Sequence, residues 1–558
     1  MSVPDVTVVL PVYNAMPYLT RCLASLAAQT IGADRMEVVA VDDGSTDLGH
    51  RHLDRFARRF AGRVTVLRQP NSGGPAAPCN RALDRATGRY VFFLGADDQL
   101  GPEALERLVA AADRYDAEVV LGRVVGVNSR FIHQEVFAAT RPEIGLDDPA
   151  LSWSLANTKL FRRDLIERYG LRYPEDMPIG SDQPFTLAAC HHARRVSVLA
   201  DYDYYFAVRR LDARNITYLS RAEERLACAE ALVAFADGLI GPGPARDTVL
   251  TRYFALEVGA LLADDFLRLD RTTQAKLHAG VRTLAERHLS ARIAGRLAVE
   301  TRLRLAVARH GGLDDLVAVI RQDAERGVPP VTMVGDRWYA TYPGFGPTAD
   351  AGAAGGGAVG GSDAADGGAA DGAADGGDAA DGGADGGDVG GGLPDQVFDV
   401  TDALPQWLAK LDVTSVGWAR DRAGRTVLAV HARSPLPDLD ARASTLAVLA
   451  EEVPGGEVQL TRQEAATSVT ALFEVAALVA ASAVTGQRRA VRVEVTVAGD
   501  NGSAPLRATR LNASRPVVCR RGRRLYAVSP SRDDSGRLMI SVVPLTPRRV
   551  VARLAQRR

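Results

Sequence analysis

Two adjacent carboxylates, Asp97 and Asp98, follow a strongly apolar run, YVFFL at residues 90–94. Such a run is typical of a strand that is buried on both faces. Neighbouring like charges at the edge of a core repel each other and resist desolvation, so a positive partner is expected beside them. Hard oxygen ligands suit a magnesium or manganese ion, which also binds phosphates. The pair therefore predicts a site for a divalent metal that carries a diphosphate, with a solvated turn as the structural alternative.

Polar residues also follow the three preceding apolar runs. PVYN (11–14) follows the first run, DDGSTD (42–47) the second and NSGGPAAPCN (71–80) the third. No G-x-G-x-x-G follows the first run and no G-x-x-x-x-G-K-[ST] loop is present, which excludes two common phosphate-binding loops. Carboxylates and amides suit a ribose, a base edge and a metal. The sequence therefore predicts a nucleotide-sugar site.

The elements that must position these residues alternate between short apolar runs and amphipathic helical patterns. The apolar runs are residues 6–10, 36–41, 63–69, 90–94 and 117–122. This β-α-β-α order predicts an α/β domain with a largely parallel sheet. In such sheets ligands bind beyond the carboxyl ends of the strands, so the residues just after each run are the informative ones.

The pattern divides the chain into four parts, of which 1–219 is the α/β domain. Residues 220–347 have helical patterns and end in a predicted hairpin, VTMVGDRWYATYPGF. Residues 348–393 are a Gly/Ala/Asp repeat whose composition predicts a disordered linker. From 394 to 558, alternating apolar stretches such as VTALFEVAAL, separated by turn-forming segments such as GDNGS, predict a β-sandwich.

Composition and charge limit the cellular setting. Over 558 residues the hydrophobic fraction is 46% and the formal net charge is -1, and the five scattered cysteines form no CxxC pair. The cysteines predict a reduced compartment without structural zinc, and neither a signal core nor an apolar run of about 18 residues is found, so we expect a cytoplasmic protein. No nucleic-acid partner is expected. A basic C-terminal end suits a polyanion or the inner face of a membrane, or is a solvated tail; its residues are Arg520, Arg521, Arg523, Arg524, Arg548, Arg549, Arg553, Arg557 and Arg558.

Four segments, in order, resemble the GT-A glycosyltransferases of family 2. They are VTVVLPVYNAMPYLTRCLASLAAQT, EVVAVDDGSTD, GGPAAPCNRALDRATGRYVFFLGADD and LFRRDLIERYGLRYPEDMPIGSDQPF. More narrowly, the SDQPF form, the helical middle and the β-rich C-terminal part resemble the enzymes that glycosylate poly(ribitol phosphate) wall teichoic acid, whose C-terminal parts are immunoglobulin-like and trimerise. The resemblance implies an inverting, metal-dependent transfer of a hexose or N-acetylhexosamine from a UDP-sugar. The implied acceptor is a hydroxyl of a cell-envelope polymer or a lipid-linked glycan, and a homo-oligomer through the C-terminal part is a further implication.

The resemblance also implies which residues bind the donor. Uracil, ribose and the base edge would contact Pro11, Tyr13, Asp43 and Asn71. Asp97 and Asp98 would meet the ribose, the sugar and a Mn or Mg ion that bridges the diphosphate. Such an ion neutralises the charge that develops on the leaving nucleotide diphosphate.

Four other residues receive roles on the acceptor side. Asp182 in GSDQPF matches the catalytic base of the family, which takes the proton of the attacking hydroxyl; S-D-x-P is also good chemistry for a helix N-cap. Arg209 and Arg210 fall where the family often has a basic residue near the diphosphate or acceptor. Trp153 is a candidate acceptor platform, although a large aromatic residue is as often part of the core.

Two residues depart from the pattern of the family. Gly95 stands where many members have the first Asp of D-x-D, and Cys79 stands where an Arg is usual; the nearby Arg81 is a candidate substitute for that cation. These departures leave a rival interpretation, a non-catalytic sugar-nucleotide or glycan-binding protein with a degenerate transferase fold. A second rival is a transferase that modifies protein or small-molecule hydroxyls. The residues that together favour an enzyme are Asp43, Asp97, Asp98 and Asp182.

Overall fold

The structure, a computed structural model, describes residues 3–177, 179–211, 220–327, 329, 331–334, 337–342, 395–401, 406, 408–434, 436, 443–456, 458–463, 466–482, 487–497, 500–508, 516–533 and 535–545. The chain falls into two compact units, Met1–Arg309 and His310–Arg558. The predicted linker at 348–393 and the last basic residues, from 546 onward, lie outside the described residues. The division into four parts therefore stays a prediction.

An eight-stranded sheet is the centre of the first unit. Its strands are β1 (Val6–Val12), β2 (Met36–Asp42), β3 (Val64–Arg68), β4 (Tyr90–Phe93), β5 (Gln99–Leu100), β6 (Val119–Val127), β7 (Lys159–Arg162) and β8 (Val196–Val208). Their order is β3-β2-β1-β4-β7-β6-β8-β5. Only β5 and β7 run against the other strands of this sheet. The prediction of a largely parallel sheet is confirmed, with β7 as an antiparallel insertion.

Seven helices accompany this sheet in the described residues up to His192. They are α1 (Tyr18–Ala27), α2 (Gly49–Arg59), α3 (Ala76–Leu83), α4 (Ala104–Tyr115), α5 (Pro149–Ser152), α6 (Arg163–Arg168) and α7 (Asp182–His192). Their apolar residues recur at helical spacing, as in α4, where Leu105, Leu108 and Ala112 are buried. One apolar face of each such helix covers the sheet, because a strand as apolar as β1 has to be shielded from water on both sides.

The middle of the chain is helical, as predicted. The helices are α8 (Ala222–Leu239), α9 (Pro244–Tyr253), α10 (Arg271–His288), α11 (Ala291–Ala294), α12 (Val299–His310) and α13 (Leu313–Arg326), and a π-helix, Phe254–Val258, continues α9. Asp270 caps α10 by accepting hydrogen bonds from the backbone N–H groups of Thr272 and Thr273, which satisfies two of the free donors at a helix start. Within the first unit, α8 packs against both α7 and the π-helix. The helical region is therefore a neighbour of the predicted base at Asp182.

The second unit is rich in β-structure. The predicted hairpin is confirmed as β9 (Val331–Val334) and β10 (Arg337–Ala340), which pair antiparallel. The later strands form sheets of four and seven strands, which confirms a β-rich C-terminal part; its immunoglobulin-like character stays a prediction. They are β11 (Asp412–Arg420), β12 (Thr426–Ser434), β13 (Ala443–Ala450), β14 (Val453–Pro454), β15 (Val458–Gln463), β16 (Ala466–Glu474), β17 (Gln487–Val497), β18 (Asp500–Pro505), β19 (Val517–Arg521), β20 (Arg524–Arg532) and β21 (Leu538–Pro544).

Three predicted element boundaries are wrong. VTALFEVAAL is not one strand, because β16 ends at Glu474 and the Ala-rich continuation is a helix, α14 (Val475–Ala480); alanine favours helix over strand. GDNGS is not all turn, since Asp500–Pro505 pairs with β17 as a strand, and that pairing outweighs local turn propensity. β6 does not end at Gly122 but continues to Val127 alongside β8.

Candidate active site

A cavity of about 440 Å³ opens where β1, β2, β4, β6 and β8 end. These strands point the same way, so their carboxyl ends meet at one edge of the sheet. The cavity is lined by every residue predicted to bind the donor, namely Pro11, Tyr13, Asp43, Asn71, Asp97 and Asp98, and also by Arg209 and Arg210. The structure thus brings these residues together, while their individual roles stay predictions.

The loops after β1 and β2 are tied to each other. Asn14 adopts a left-handed backbone with φ 43°, and its Oδ1 accepts hydrogen bonds from the backbone N–H groups of Thr46 at 2.8 Å and Asp47 at 3.3 Å. Gly44 has φ 77°, and a Cβ there would lie 2.7 Å from the backbone nitrogen of Asn71. A glycine is therefore required for the third loop to approach the second.

The Asp43 carboxylate is buried and held by the loop after β3. It accepts hydrogen bonds from Gln69 Nε2 at 2.6 Å, from the backbone N–H of Ser72 at 3.1 Å and from Ser72 Oγ at 2.9 Å. Asn71, which is exposed in the same loop, donates through Nδ2 to the backbone oxygen of Asp43 at 3.2 Å. These bonds fix a carboxylate and an amide at defined places on the cavity wall.

Asp98 is a buried carboxylate whose oxygens already accept two hydrogen bonds. Tyr205 donates its hydroxyl to Oδ2 at 2.6 Å, and the backbone N–H of Val208 donates to Oδ1 at 2.7 Å. Burial and the charge of Asp97 raise the pKa of Asp98 to about 7. The loop therefore holds its second negative charge only at an energetic cost, which a bound cation would remove.

Gly95, the departure from the family pattern, is explained by this loop. A Cβ at Gly95 would lie 2.7 Å from Asp98 Oδ2 and 3.2 Å from Asp97 Oδ1. The backbone N–H of Gly95 donates to the Tyr205 hydroxyl at 3.1 Å. A third carboxylate at this position would have to displace the pair, so two acidic residues are what this loop accommodates.

The residues present fit a metal that arrives with its substrate. Asp97 and Asp98 place carboxylate oxygens on the cavity wall, but no group of three or more acidic, His or Cys side chains in the described part of the chain could hold a metal. A magnesium-like ion bound by one or two carboxylates completes its coordination with water and substrate phosphates. The donor set is therefore that of a substrate-bridging ion and not of a closed structural site.

Three arginines face this pair across the cavity: Arg130, Arg209 and Arg210. Arg130 Nη1 lies 4.0 Å from Asp98 Oδ1 and donates to the backbone oxygen of Val208 at 3.1 Å. Arg210 is buried, and its Nη2 donates to the backbone oxygen of Asn14 at 3.0 Å. Guanidinium groups held in this way suit a diphosphate, which they bind through several N–H donors.

Asp182 is the first residue of α7 and is not among the residues that line the cavity. The predicted N-cap is corrected by one position, since Ser181 holds the cap position and Asp182 lies inside the first turn, where a negative charge is favoured by the helix dipole. The charge of Asp182 adds to burial in raising the pKa of Cys79 on α3, and the neighbouring Pro78 lines the cavity. Asp182 therefore lies close to the α3 side of the cavity.

The Asp182 carboxylate is partly buried among groups of opposite effect. Burial raises its pKa, while a hydrogen bond from the backbone N–H of Asn157 and the charges of Arg252 and Lys159 oppose this. Lys159 itself is inaccessible, and its Nζ donates to the backbone oxygens of Ser154, at 2.5 Å, and Ala156. Burial lowers the pKa of Lys159 to about 8.

Trp153 lies at the end of α5 and, like Asp182, is not one of the residues that line the cavity. Its ring centroid is 4.7 Å from that of His133, which in turn is 4.8 Å from the ring of Phe131. Phe131 is 77% exposed. Trp153 is thus part of an aromatic group that reaches the surface, and its role as an acceptor platform stays a prediction.

Comparison with known proteins follows the same division of the chain. The family described as Glycosyl transferase family 2 matches residues 7–167, the segment that supplies most of the cavity. Residues 7–167 are a family 2 glycosyl transferase domain. The Glycosyl transferase TarS linker domain matches residues 223–320, which correspond to most of the helical region.

The relatives of this transferase domain act in teichoic acid synthesis. A poly(ribitol-phosphate) beta-glucosyltransferase of Bacillus spizizenii is 36% identical over 205 residues, which are 37% of this chain and 32% of that protein. A poly(ribitol-phosphate) beta-N-acetylglucosaminyltransferase, TarS of Staphylococcus aureus, is 37% identical over 204 residues, 37% of this chain and 35% of that protein. The matches thus span about a third of the length of these curated relatives.

Solved structures extend the likeness beyond the transferase domain. Residues 1–349 of S. aureus TarS in complex with UDP superpose with a TM-score of 0.53 and 26% identity, covering 61% of this chain and 96% of that chain. The longer S. aureus TarS structure has a TM-score of 0.59 at 19% identity and covers 97% and 86% respectively, which supports the fold alone. The predicted GT-A domain, helical middle and β-rich C-terminal part are confirmed.

The second departure from the family pattern, Cys79, is buried beside Asp182 within the transferase domain. Arg81 does not replace the missing cation at the cavity. Its Nη1 donates to the backbone oxygen of Arg68 at 2.8 Å and to Gln69 Oε1 at 3.3 Å, and it is not among the residues that line the cavity. Arg81 instead braces the loop whose Gln69 binds Asp43.

Sequence reasoning missed several residues of the transferase domain. Arg130 escaped notice because the predicted end of β6 was too early; a strand that continues to Val127 places the following residues at the cavity edge. Tyr205 in DYDYYF was read only as part of an apolar strand, although a phenol in such a strand has to find a partner. Lys159 and Arg252 carried no local signal. Among the described residues, no helix combines the length and apolar character that crossing a membrane requires.

Proposed function

We propose that this protein is an inverting, metal-dependent glycosyltransferase that moves a hexose or N-acetylhexosamine from a UDP-sugar to a hydroxyl of a polyol-phosphate polymer of the cell envelope. The observation that carries the proposal is the single cavity that joins a carboxylate pair, three arginines and the loops predicted to bind the nucleotide. The names of the relatives, which act on poly(ribitol phosphate), support the acceptor class. A lipid-linked glycan is the second acceptor that the sequence allows.

In the proposed donor complex the nucleotide lies over the ends of β1 to β3. Tyr13 is 48% exposed and presents its ring to the cavity, where an aromatic face can stack on uracil. The Asp43 carboxylate and the Asn71 amide are placed for hydrogen bonds to the ribose and the base edge. Because the loop bonds described above hold both side chains, little side-chain entropy remains to be lost on binding.

The diphosphate would lie between Asp97 and Asp98 on one side and the three arginines on the other. A bound Mn or Mg ion would supply Lewis-acid neutralisation of the departing nucleotide diphosphate. Asp97 and Asp98 would hold the ion. Arg130, Arg209 and Arg210 would orient the phosphate oxygens and add positive charge where the leaving group becomes more negative.

Asp182 is proposed as the general base. Inversion needs one carboxylate to remove the acceptor hydroxyl proton while that oxygen attacks the anomeric carbon from the face opposite the diphosphate. The raised pKa of Asp182, caused by burial, makes the carboxylate a stronger proton acceptor than an exposed aspartate. Trp153 is proposed to contact the acceptor chain from the aromatic group with His133 and Phe131.

The C-terminal part is proposed to bind the polymer or to make a homo-oligomer. Several tethered sites would favour a repeating acceptor, since a second contact becomes intramolecular. The arginines of β19 and β20, Arg520, Arg521 and Arg524, are polar members of that part and suit a polyanion or an anionic membrane surface. A cytoplasmic location at the inner face of the membrane stays a prediction.

One experiment separates this function from the rivals. The protein is incubated with Mn and a panel of UDP-, GDP- and dTDP-sugars, with poly(ribitol phosphate), with a small-molecule polyol or without acceptor, and nucleotide release is measured. We expect one UDP-sugar to be turned over only with the polymer, and NMR of the product to show an inverted anomeric configuration. Binding of a UDP-sugar without turnover on any acceptor would favour the non-catalytic binding protein, while turnover on the small polyol alone would favour the second rival.

A further inference from the structure

Six ionisable side chains in the described structure act on Asp182, and two of them are cations. Burial raises the pKa of each of the neutral ones, so these thiols and phenols keep their protons near neutral pH; they are Cys79, Tyr173, Cys228 and Tyr253. The cations are Lys159 on β7 and Arg252 on α9. Glu257, on the π-helix, is bonded to Arg252 and is the acidic residue beyond it. The charge state of Asp182 therefore depends on a small set of named groups.

Arg252 reaches the catalytic helix from the helical region. It is 8% exposed, and its Nη1 donates to Gln183 Oε1 at 2.6 Å and to Glu257 Oε1 at 2.9 Å. Gln183 directly follows Asp182 on α7, and its Nε2 donates to Glu257 Oε1 at 3.1 Å. A buried guanidinium is thereby fixed next to the first turn of α7 by two partners.

This arrangement is not the one that stability alone would favour. Within the described part of the chain, Arg252 Nε and Glu257 Oε2 are buried without a hydrogen-bond partner. A buried ion pair with unsatisfied atoms contributes little stability, because desolvation offsets the attraction of the charges. The cation therefore calls for another explanation, and its charge acts on Asp182.

We propose that Arg252 is a positioning residue that the helical region contributes to the active site, where it keeps the Asp182 carboxylate ionised and correctly oriented. The inference rests on the proposed role of Asp182 as general base. A base has to be ionised before it accepts a proton, and burial opposes ionisation. Arginine is suited to the task because it keeps its charge when buried. The helical region is then part of the catalytic machinery and not only a spacer.

The test is the pH profile of kcat/KM for sugar transfer by the full chain. Removing the charge in Arg252→Gln raises the pKa of Asp182, so the acid limb is expected to move to higher pH by about half a pH unit or more. The rate at pH 7 falls by about tenfold and recovers at higher pH, while the KM for the UDP-sugar stays within about twofold. Arg252→Lys, which retains the charge, is expected to return the limb toward its wild-type position.

Two further variants keep the test decisive. Glu257→Gln removes the negative charge beside Arg252 while its Oε1 can still accept both hydrogen bonds, so the limb should move to lower pH. Arg246→Gln is the matched control, since Arg246 also lies on α9 but pairs with Asp237 at 2.9 Å and should leave the limb in place. If Arg252→Gln does not fold, the opposite shift in Glu257→Gln still tests the proposal.

The outcomes separate this inference from the proposed function. If the wild-type protein transfers no sugar to any acceptor, the proposed function fails. If it does transfer sugar, but Arg252→Gln lowers kcat/KM equally at every pH or weakens UDP-sugar binding in parallel, Arg252 has a merely structural role and the inference is overturned. A limb that does not move in Glu257→Gln, or moves to higher pH, also contradicts it.

Discussion

Asp98 and Asp182 are two buried carboxylates of one unit with opposite neighbours. Burial raises the pKa of both side chains. Beside Asp98 the next influence is the negative charge of Asp97, which raises its pKa further. Around Asp182 the charges of Arg252 and Lys159 act in the other direction. The same side chain is therefore kept short of positive charge in one place and supplied with it in the other.

The difference teaches which task each carboxylate suits. A like-charged pair on a cavity wall gains free energy when a cation binds, and so it suits a metal that arrives with a diphosphate. A carboxylate with cations nearby stays ionised despite burial, and so it suits a group that has to accept a proton. Neither task follows from the residue type alone, because both residues are aspartates on loops or helix starts that follow apolar segments.

The largest effect is expected at the base. Asp182→Asn removes the proton acceptor but keeps the side chain's shape, so transfer should fall by about 10²- to 10⁴-fold. The KM for the UDP-sugar should change little, because Asp182 is not among the residues that line the cavity. Acceptor-dependent UDP release is the measurement. A variant that retains more than about a tenth of the wild-type rate would exclude Asp182 as the base.

The next largest effect is expected at the metal pair. Asp98→Asn should reduce transfer by about 100-fold and abolish its response to added Mn. The unfolding temperature should not fall, because the variant removes a charge that burial disfavours. Asp116→Asn is a suitable control, since Asp116 is an exposed aspartate at φ 47° that pairs with Arg162. Loss of stability without loss of the Mn response would contradict the assignment.

A smaller effect, on stability, tests the cations near Asp182. The pKa of Lys159 is lowered to about 8 from the ordinary value of 10.5, so between these pH values the unfolded chain binds a proton that the folded protein has lost. Stability should therefore rise with pH across this window, by about 2–3 kcal/mol relative to Lys159→Met. Unfolding temperatures at neutral and alkaline pH measure this difference. The exposed Lys276→Met should leave it unchanged, and a wild-type advantage that shrinks with rising pH would mean that burial does not control Lys159.

The smallest effect is expected at the arginines opposite the metal pair. Arg210 is fixed by Asn14 and by the ring of Tyr18, which its guanidinium covers at 5.4 Å, whereas Arg209 is exposed. A pre-organised guanidinium contributes more to diphosphate binding, so Arg210→Ala should raise the KM for the UDP-sugar by about tenfold and Arg209→Ala by less. Arg85→Ala, an exposed change on the same unit, serves as the control. Equal effects at 209 and 210 would argue against pre-organisation.

Much of the donor side could be predicted from the sequence because it is local. Tyr13, Asp43, Asn71 and Asp98 each follow an apolar run within a few residues, and the parallel direction of the strands brings them to one edge. The element boundaries were less predictable. β6 continues to Val127 because it pairs with β8, and the strand at Asp500–Pro505 exists because it pairs with β17.

The surroundings of Asp182 could not be predicted, for a physical reason. Arg252 is distant from Asp182 in sequence and meets it only because α8 and the π-helix pack against α7. Lys159 lies in a segment that reads as an ordinary strand, and only the fold reveals that its amine is inaccessible and bonded to backbone oxygens. Long-range packing determines these contacts, and it leaves no periodic signal in the chain.

The central claim is that one carboxylate region binds the donor and its metal while the other accepts the proton. Titration of UDP into the wild-type protein, Asp98→Asn and Asp182→Asn, each with and without Mn, tests it directly. We expect Mn to tighten UDP binding in the wild-type protein and in Asp182→Asn to the same extent, and to have no effect in Asp98→Asn. Loss of the Mn-dependent binding in Asp182→Asn, or its survival in Asp98→Asn, would contradict the division of roles.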